Sequence, residues 1–321
     1  MVLVAIQKVR AAGIPTIDDI SPGHREVSRE LSAASVRGGL SVAVSPGGLD
    51  PYRGLGAWID LYDYGTDHPI DAAAMAAELQ RRGVRTIYLQ TSRWSSPTHF
   101  DNPGGASAII EQAHARGIRV VGWYLPGFAD LDRDVAGSLA VSNFRTPAGH
   151  AFDGFAADIE DNRAVGGVLT AFNAGVAGYS AKLRAAAPPG AVLGAIVPDA
   201  KNNLRAPGLW AGFPWPEIAR DFDVVMPMAY WSVTKPACRA GLDADAYMKQ
   251  VVSLTQALMG TSKPMHPIGG IADCATGAEV EQYVNLGLQQ GWLGGSLYDT
   301  LTTDGSPWRE RMWEQLRRFD R

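Results

Sequence analysis

Two acids two residues apart, Asp158 and Glu160, are the side chains in this sequence whose type and spacing point most directly to chemistry. They close the stretch His150 to Glu160, HAFDGFAADIE. Phe152, Phe155 and Ile159 are strand formers, and the run is too short and too glycine-interrupted for a helix, so a strand is predicted here. Residues two apart on a strand share a face. Two carboxylates held together at a strand end cannot both ionise freely, and one is expected to keep its proton to a raised pH. A carboxylic acid still protonated near neutral pH is what cleavage of a glycosidic bond needs. The bland alternative is a helix N-cap with an exposed loop acid beside it.

The elements that must position this pair follow a regular rhythm from about residue 55. Strands are predicted over 56–64, 84–91, 118–125, the acidic stretch, 191–197, 222–231, 263–271 and 292–299. Helices are predicted between them, over 70–82, 105–116, 130–143, 165–183, near 215–220, and around the apolar spacings Met248 to Met259, Val280 to Leu288 and Trp308 to Phe319. Apolar strands alternating with amphipathic helices call for a parallel sheet covered by helices. Eight such units in about 265 residues match a (β/α)8 TIM barrel spanning 55–321. Residues 1–54, broken by Gly13, Pro15, Pro22, Gly38 and Gly39, are expected to form a short N-terminal extension packing on the barrel. A doubly wound open sheet is the competing fold, but it carries a glycine-rich turn after its first strand, and here that position holds DLYDYGTDHP. Pro227 inside the sixth strand argues against a barrel, because a closed sheet has no free edge to accept it.

Barrels place their chemistry at the C-terminal ends of the strands. Those ends and the loops that follow carry Asp60, Tyr62, Asp63, Gln90, Arg93, Trp94, Trp123, Tyr124, Asp158, Glu160, Asp199, Tyr230, Trp231, Asp273, Tyr298 and Asp299. Aromatic faces with acids between them suit sugar rings. Any one of these aromatics alone is better explained as packing; it is the recurrence at one end of the strands that suggests a site. Asp60, Tyr62, Gln90, Trp94, Tyr124, Trp231, Tyr298 and Asp299 are therefore the predicted substrate-binding residues, around Glu160, Asp158 and Tyr230 as the catalytic set.

The segment Asp153-Gly154-Phe155-Ala156-Ala157-Asp158-Ile159-Glu160 resembles the family 18 chitinase strand motif DGxDxDxE, and Met228-Ala229-Tyr230 resembles the first part of that family's MxYD motif. The resemblance implies a glycoside hydrolase. Glu160 would be the general acid, Asp158 would orient and stabilise a substrate 2-acetamido group, and Tyr230 would hydrogen-bond that group. Ala156 stands in place of the motif's middle Asp and Trp231 in place of the Asp after the Tyr, so the acetamido-binding set is not carried over whole. For a substrate without that group a second carboxylate would have to act, about 5–5.5 Å from the first in a retaining enzyme and about 6.5–9.5 Å in an inverting one. Asp60, Asp273 and Asp299 are the candidates.

Two other readings compete. Gly269-Gly270-Ile271 and Gly294-Gly295-Ser296 on the last two strands could serve a phosphate site in a sugar-phosphate barrel of isomerase or aldolase type; close packing is the plainer reading of small residues there. A catalytically silent carbohydrate-binding barrel fits the changes at 156 and 231, and retention of Glu160 argues against it.

The net charge of −4, from 29 Lys and Arg against 33 Asp and Glu, comes with no basic run, which argues against a nucleic-acid partner. No apolar run approaches a membrane span, and MVLVAIQKVR does not read as a signal peptide, so the expectation is either a cytoplasmic protein or a secreted one whose signal is missing from this sequence. Two cysteines without a CxxC, and six scattered His, predict no zinc site and no cofactor. Cys238 and Cys274 fall in the loops after strands six and seven. In a barrel these are neighbours on one face, so a disulfide is within reach, and it would imply an oxidising compartment. The expected partner is a carbohydrate; the oligomeric state is not legible.

Overall fold

The computed structural model describes residues 48–65, 69–201, 210–234 and 243–320. Most of the expected N-terminal extension, and Cys238, lie outside these residues.

Eight short apolar runs form parallel strands: β1 (Gly54–Ile59), β2 (Thr86–Arg93), β3 (Arg119–Leu125), β4 (Gly154–Asp158), β5 (Leu193–Val197), β6 (Val224–Ala229), β7 (Ile268–Ile271) and β8 (Gly294–Tyr298). They pair in chain order and β8 pairs back to β1, so the sheet is a closed TIM barrel. The covering helices are α1 (Ala72–Arg82), α2 (Pro103–His114), α3 (Leu131–Asn143), α4 (Leu169–Ala186), α5 (Trp215–Asp221), α6 (Ala244–Met259), α7 (Gly277–Gln290) and α8 (Arg309–Leu316). Their ends are set locally. Asp71 caps α1 by accepting from the amides of Ala73 and Ala74, and Gly83 closes it at φ +84°, a conformation that favours glycine. Thr276 and Glu279 form a reciprocal capping box at the start of α7.

The first predicted strand is shorter than expected. It ends at Ile59, and Leu61–Tyr64 form one helical turn capped by Asp60. The glycines considered for a phosphate site are packing contacts. A Cβ at Gly269 would lie 2.6 Å from the Trp231 ring, and one at Gly294 would lie 2.0 Å from the Gly54 carbonyl oxygen.

Pro227 does sit in mid-strand, and the sheet registers it. Val225 donates to the Pro264 carbonyl and His266 donates back to that of Val225. The next donor in this row is residue 227, which has no N–H, and β6 meets β7 again only at Met228↔Ile268 and Ala229↔Gly269. Toward β5 the register is unbroken, with Pro227 opposite Val197.

Strand alternation sorts side chains into two cores. Leu55, Ile87, Leu89, Val120, Phe155, Ala157 and Val225 face the helices. Tyr52, Trp58, Tyr88, Val121, Trp123, Ala156, Ile196, Met226, Met228 and Ile268 fill the barrel, with Tyr230 and Tyr298 packed on them. Trp58 stacks on Tyr88 at 4.5 Å between ring centroids, a geometry worth about 1 kcal/mol beyond area burial.

The barrel's lower interior is polar and hydrogen-bonded. Trp58 Nε1 donates to Ser296 Oγ at 2.8 Å, Ser296 Oγ lies 3.1 Å from His266 Nε2, and His266 Nδ1 lies 2.9 Å from the Tyr52 carbonyl oxygen. The chain of donors is self-consistent when Ser296 donates to Nε2 and Nδ1 carries the imidazole proton. Burial holds His266 neutral, pulling its pKa from 6.5 to about 4 against the opposing bond to Tyr52. A base whose folded pKa is depressed contributes stability above its unfolded pKa and loses it as pH falls. His266 is therefore expected to remove about 3 kcal/mol of stability between roughly pH 6.5 and pH 4. Chemical denaturation of the parent and of His266→Asn across this range checks it: the variant's stability is expected to be the less pH-dependent of the two.

Candidate functional site at the barrel mouth

Asp158 is the last residue of β4, and Glu160 follows two residues on. The parallel pairing runs past the strand end, Ile159 donating to the Ile196 carbonyl at 2.9 Å. Both acids thus stay in the inward phase set by Ala156. Asp158 is 7 % exposed, and its Oδ1 has no hydrogen-bond partner. Burial pushes its pKa well above the usual carboxylate range, and the charges of Glu160 and Asp161 push the same way. Glu160 is half-buried, and burial raises it from 4.5 to about 7; Asp161 adds to the rise and Arg163 opposes it. Burial, with Asp161 next, thus has more to do with the raised Glu160 than the like charge of Asp158, which was the expected cause.

Asp161 is the acid the sequence reading passed over. It is 7 % exposed and heavily paired. Trp94 Nε1 donates to its Oδ2 at 3.0 Å, and Arg163 donates from its amide and its guanidinium, closing an ion pair. Burial alone would raise Asp161, but these hydrogen bonds outweigh it and hold the pKa below the usual range. A fixed negative charge therefore stands next to the proton on Glu160. Trp94 is placed for this by Gly127, where a Cβ would lie 2.6 Å from the indole.

The opposite wall comes from β1 and β8. Asp60 accepts from the Tyr62 amide at 2.7 Å and from the Tyr298 hydroxyl at 2.8 Å. The Gln90 side chain accepts from the Leu61 amide at 3.0 Å, so its work is to hold this turn. Tyr62 points outward, 53 % exposed, with Arg93 donating to its hydroxyl at 3.3 Å. Asp63, which accepts from the Asp60 amide, is raised to about 7 by burial, by Asp60 and by Asp299. Ligand oxygens of Asp60, Asp63 and Asp299 lie within 4.8 Å of one another, donor chemistry suited to a hard cation. Two of the three acids already serve the cap of the turn and Tyr298. Tyr230, half-buried between the walls, has its hydroxyl pKa raised by burial and by the charges of Glu160, Asp158 and Asp299, in that order. Its ring lies 6.1 Å from that of Tyr298.

The structure thus brings Asp158, Glu160, Tyr230, Tyr298 and Asp299 to one region, with Asp60, Gln90, Tyr62 and Trp94 around it. It does not bring Tyr124 and Trp231 there. Both occupy the outward phase of their strands. Tyr124 is 1 % exposed and donates to Asp134 at 2.9 Å; that carboxylate also takes the amides of Gly127 and Phe128 and so fixes the loop under Trp94. Trp231 is fully buried over Gly269, 5.4 Å from the Tyr283 ring. Trp123, one residue before Tyr124, is the aromatic that faces inward. The period of two, counted from Val121, was the signal that separates them. The side chain of Asp273 lies outside the described residues. Cys274 is disulfide-bonded, while Cys238, the chain's other cysteine, lies outside the described residues.

No protein-family profile matches the sequence, and no curated protein matches it. Solved structures match the fold. The Bacillus cereus spore cortex-lytic enzyme SleL aligns at TM-score 0.59 and 11 % identity, over 82 % of this chain and 73 % of its own. A GH18 chitinase from Cycas revoluta, in complex with (GlcNAc)3, aligns at 0.59 and 11 %, over 83 % and 99 %. The endo-beta-1,4-mannanase of Thermotoga petrophila aligns at 0.59 and 12 %, over 86 % and 78 %. At this identity the likeness is one of fold.

One titration isolates the Asp161 effect. Removing its charge in Asp161→Asn takes away a term that raises Glu160 and frees Arg163, which lowers it. Both move the Glu160 pKa down from about 7. The Glu160 carboxyl resonance, followed by carbon NMR, is expected to titrate at lower pH in the variant, and an unmoved midpoint would show that Asp161 does not act on Glu160.

Proposed function

We propose that this chain is a glycoside hydrolase that cleaves a glycosidic bond within a poly- or oligosaccharide. The observation that carries the reading is the pair at the end of β4: a half-buried Glu160 with its pKa raised to about 7, beside a buried Asp158 with an unpaired oxygen. In the reaction, the Glu160 proton passes to the glycosidic oxygen as the bond to the anomeric carbon breaks, and water ends on that carbon. Asp158 and Tyr230 assist by holding the polar substituent next to the anomeric carbon, a 2-acetamido group where the sugar carries one. Where it carries none, Asp299 or Asp60 supplies the second carboxylate. Tyr62, Trp94 and Tyr298 contribute ring faces and hydroxyls to sugar units along the mouth. Fold neighbours described as chitinases, mannanases and a cortex-lytic enzyme support this choice of chemistry over the sugar-phosphate alternative.

A screen over labelled chito-, manno- and gluco-oligosaccharides tests the reading. On the substrate it identifies, Glu160→Gln is expected to lower kcat by about 10²–10⁴-fold while the far-UV spectrum and melting temperature remain those of a folded barrel. Wild-type turnover in that variant would sink the assignment.

We further propose that the protein works in an oxidising compartment, with Cys274 bridged to Cys238. The bridge would stabilise by about 3–4 kcal/mol on the chain-entropy model. Thiol titration of the denatured, non-reduced protein is expected to find no reactive thiol; two thiols would remove both the bridge and the compartment.

A further inference from the structure

Among the described residues, two buried polar atoms inside the barrel have no hydrogen-bond partner: Trp123 Nε1 and Asp158 Oδ1. Trp123 is 4 % exposed and Asp158 7 %. They stand on neighbouring strands. Trp123 pairs in register with Ala156, and Asp158 is the next inward residue of β4. Ala156, opposite Trp123, presents only a methyl group and offers the indole no acceptor. Elsewhere in the interior the comparable donors are paired, Trp58 to Ser296, Tyr298 to Asp60 and Tyr52 to the Phe155 carbonyl. Trp58, the other indole of the barrel interior, thus has the partner that Trp123 lacks. An indole N–H can only donate, and leaving it buried and unpaired is unfavourable.

Trp123 is also linked to the mouth through a run of rings. Its ring is 6.1 Å from that of Trp58, Trp58 is 6.2 Å from Tyr298, and Tyr298 is 6.1 Å from Tyr230. A continuous run of packed rings thus leads from Trp123 to the tyrosine that lies among the acids.

We propose that Trp123 is a substrate-binding residue whose indole N–H donates to an oxygen of the sugar unit lodged against Asp158. The inference rests on the glycosidase reading above and adds a specificity determinant to it. A sugar that offers an acceptor oxygen at this depth satisfies the indole, while Asp158 takes the polar group beside it. A sugar that lacks the oxygen leaves the indole buried and unpaired, and sites built on such a bond reject the deficient analogue strongly.

The test uses the full chain and the oligosaccharide identified by the activity screen. Trp123→Phe keeps an aromatic ring and removes the N–H. In a Glu160→Gln background, which prevents turnover, calorimetry is expected to show binding weakened by about 5- to 50-fold, with kcat/KM of the singly substituted enzyme falling by a similar factor. Oligosaccharides with single hydroxyls or carbonyl oxygens removed supply the second arm. One of them is expected to bind the parent as weakly as the natural ligand binds Trp123→Phe, and to lose nothing more when the two changes are combined. Where Trp123→Phe does not fold, benzothienylalanine in place of Trp123 keeps the bicyclic shape without the N–H.

Binding within about two-fold of the parent, or losses that add across the whole analogue series, overturns the proposal and leaves a water as the partner of the indole. Inactive Glu160→Gln together with unchanged Trp123→Phe removes the Trp123 role alone. Wild-type turnover in Glu160→Gln removes the glycosidase reading, and a panel from which nothing binds overturns both.

Discussion

Burying a carboxylate is costly unless something answers for its charge or it keeps its proton, and the mouth of this barrel is arranged around that constraint. Asp161 is answered by Arg163 and Trp94 and keeps its charge. Asp158 and Glu160 are not answered, and both are raised. The difference between neighbours comes from one step of strand phase and one arginine. It has a consequence for stability. An acid whose folded pKa is raised contributes fully below its unfolded pKa and loses that contribution as pH climbs. For Glu160 the loss runs from about 4.5 to about 7. The pH range that makes Glu160 a useful acid is thus the range in which the fold gives up stability to hold it.

The same phase rule orders the rest of the molecule. A closed parallel barrel has an inside and an outside and no edge, so each strand residue commits to one or the other. The inside is polar and hydrogen-bonded around His266, aromatic around Trp58, and acidic at the mouth. The outside phase holds the loops in place. Tyr124 and Asp134 brace the turn beneath Trp94 from behind the sheet, and Trp231 packs over Gly269.

The eight-unit rhythm, the phase of Asp158 and Glu160 and the acid-rich mouth were legible in the sequence because each depends on local period and residue type. Tyr124 and Trp231 were misplaced because closeness to a strand end says nothing about which face a residue takes; counting in twos from Val121 or Met228 does. Asp60 was expected at a strand end and instead caps a helical turn, a role that DLYDY encodes through the acids at its first and fourth positions. Asp161 escaped notice because it is out of phase with the pair, and its importance comes from Trp94 and Arg163, contacts that only the folded loops create. Burial was the other hidden quantity: it, more than any neighbour, sets the pKa of Glu160, and depth is not written in spacing.

Pro227 leaves the β6–β7 seam short of a rung that no other described part of the barrel supplies. A missing ladder bond lowers the cost of opening the sheet locally. Tyr230 sits just above that seam, while Asp158 and Glu160 stand on β4, with β5 between. Opening at the proline would shift Tyr230 relative to acids held on another strand. The irregularity that first argued against a barrel thus lies directly beneath the tyrosine that faces its acids.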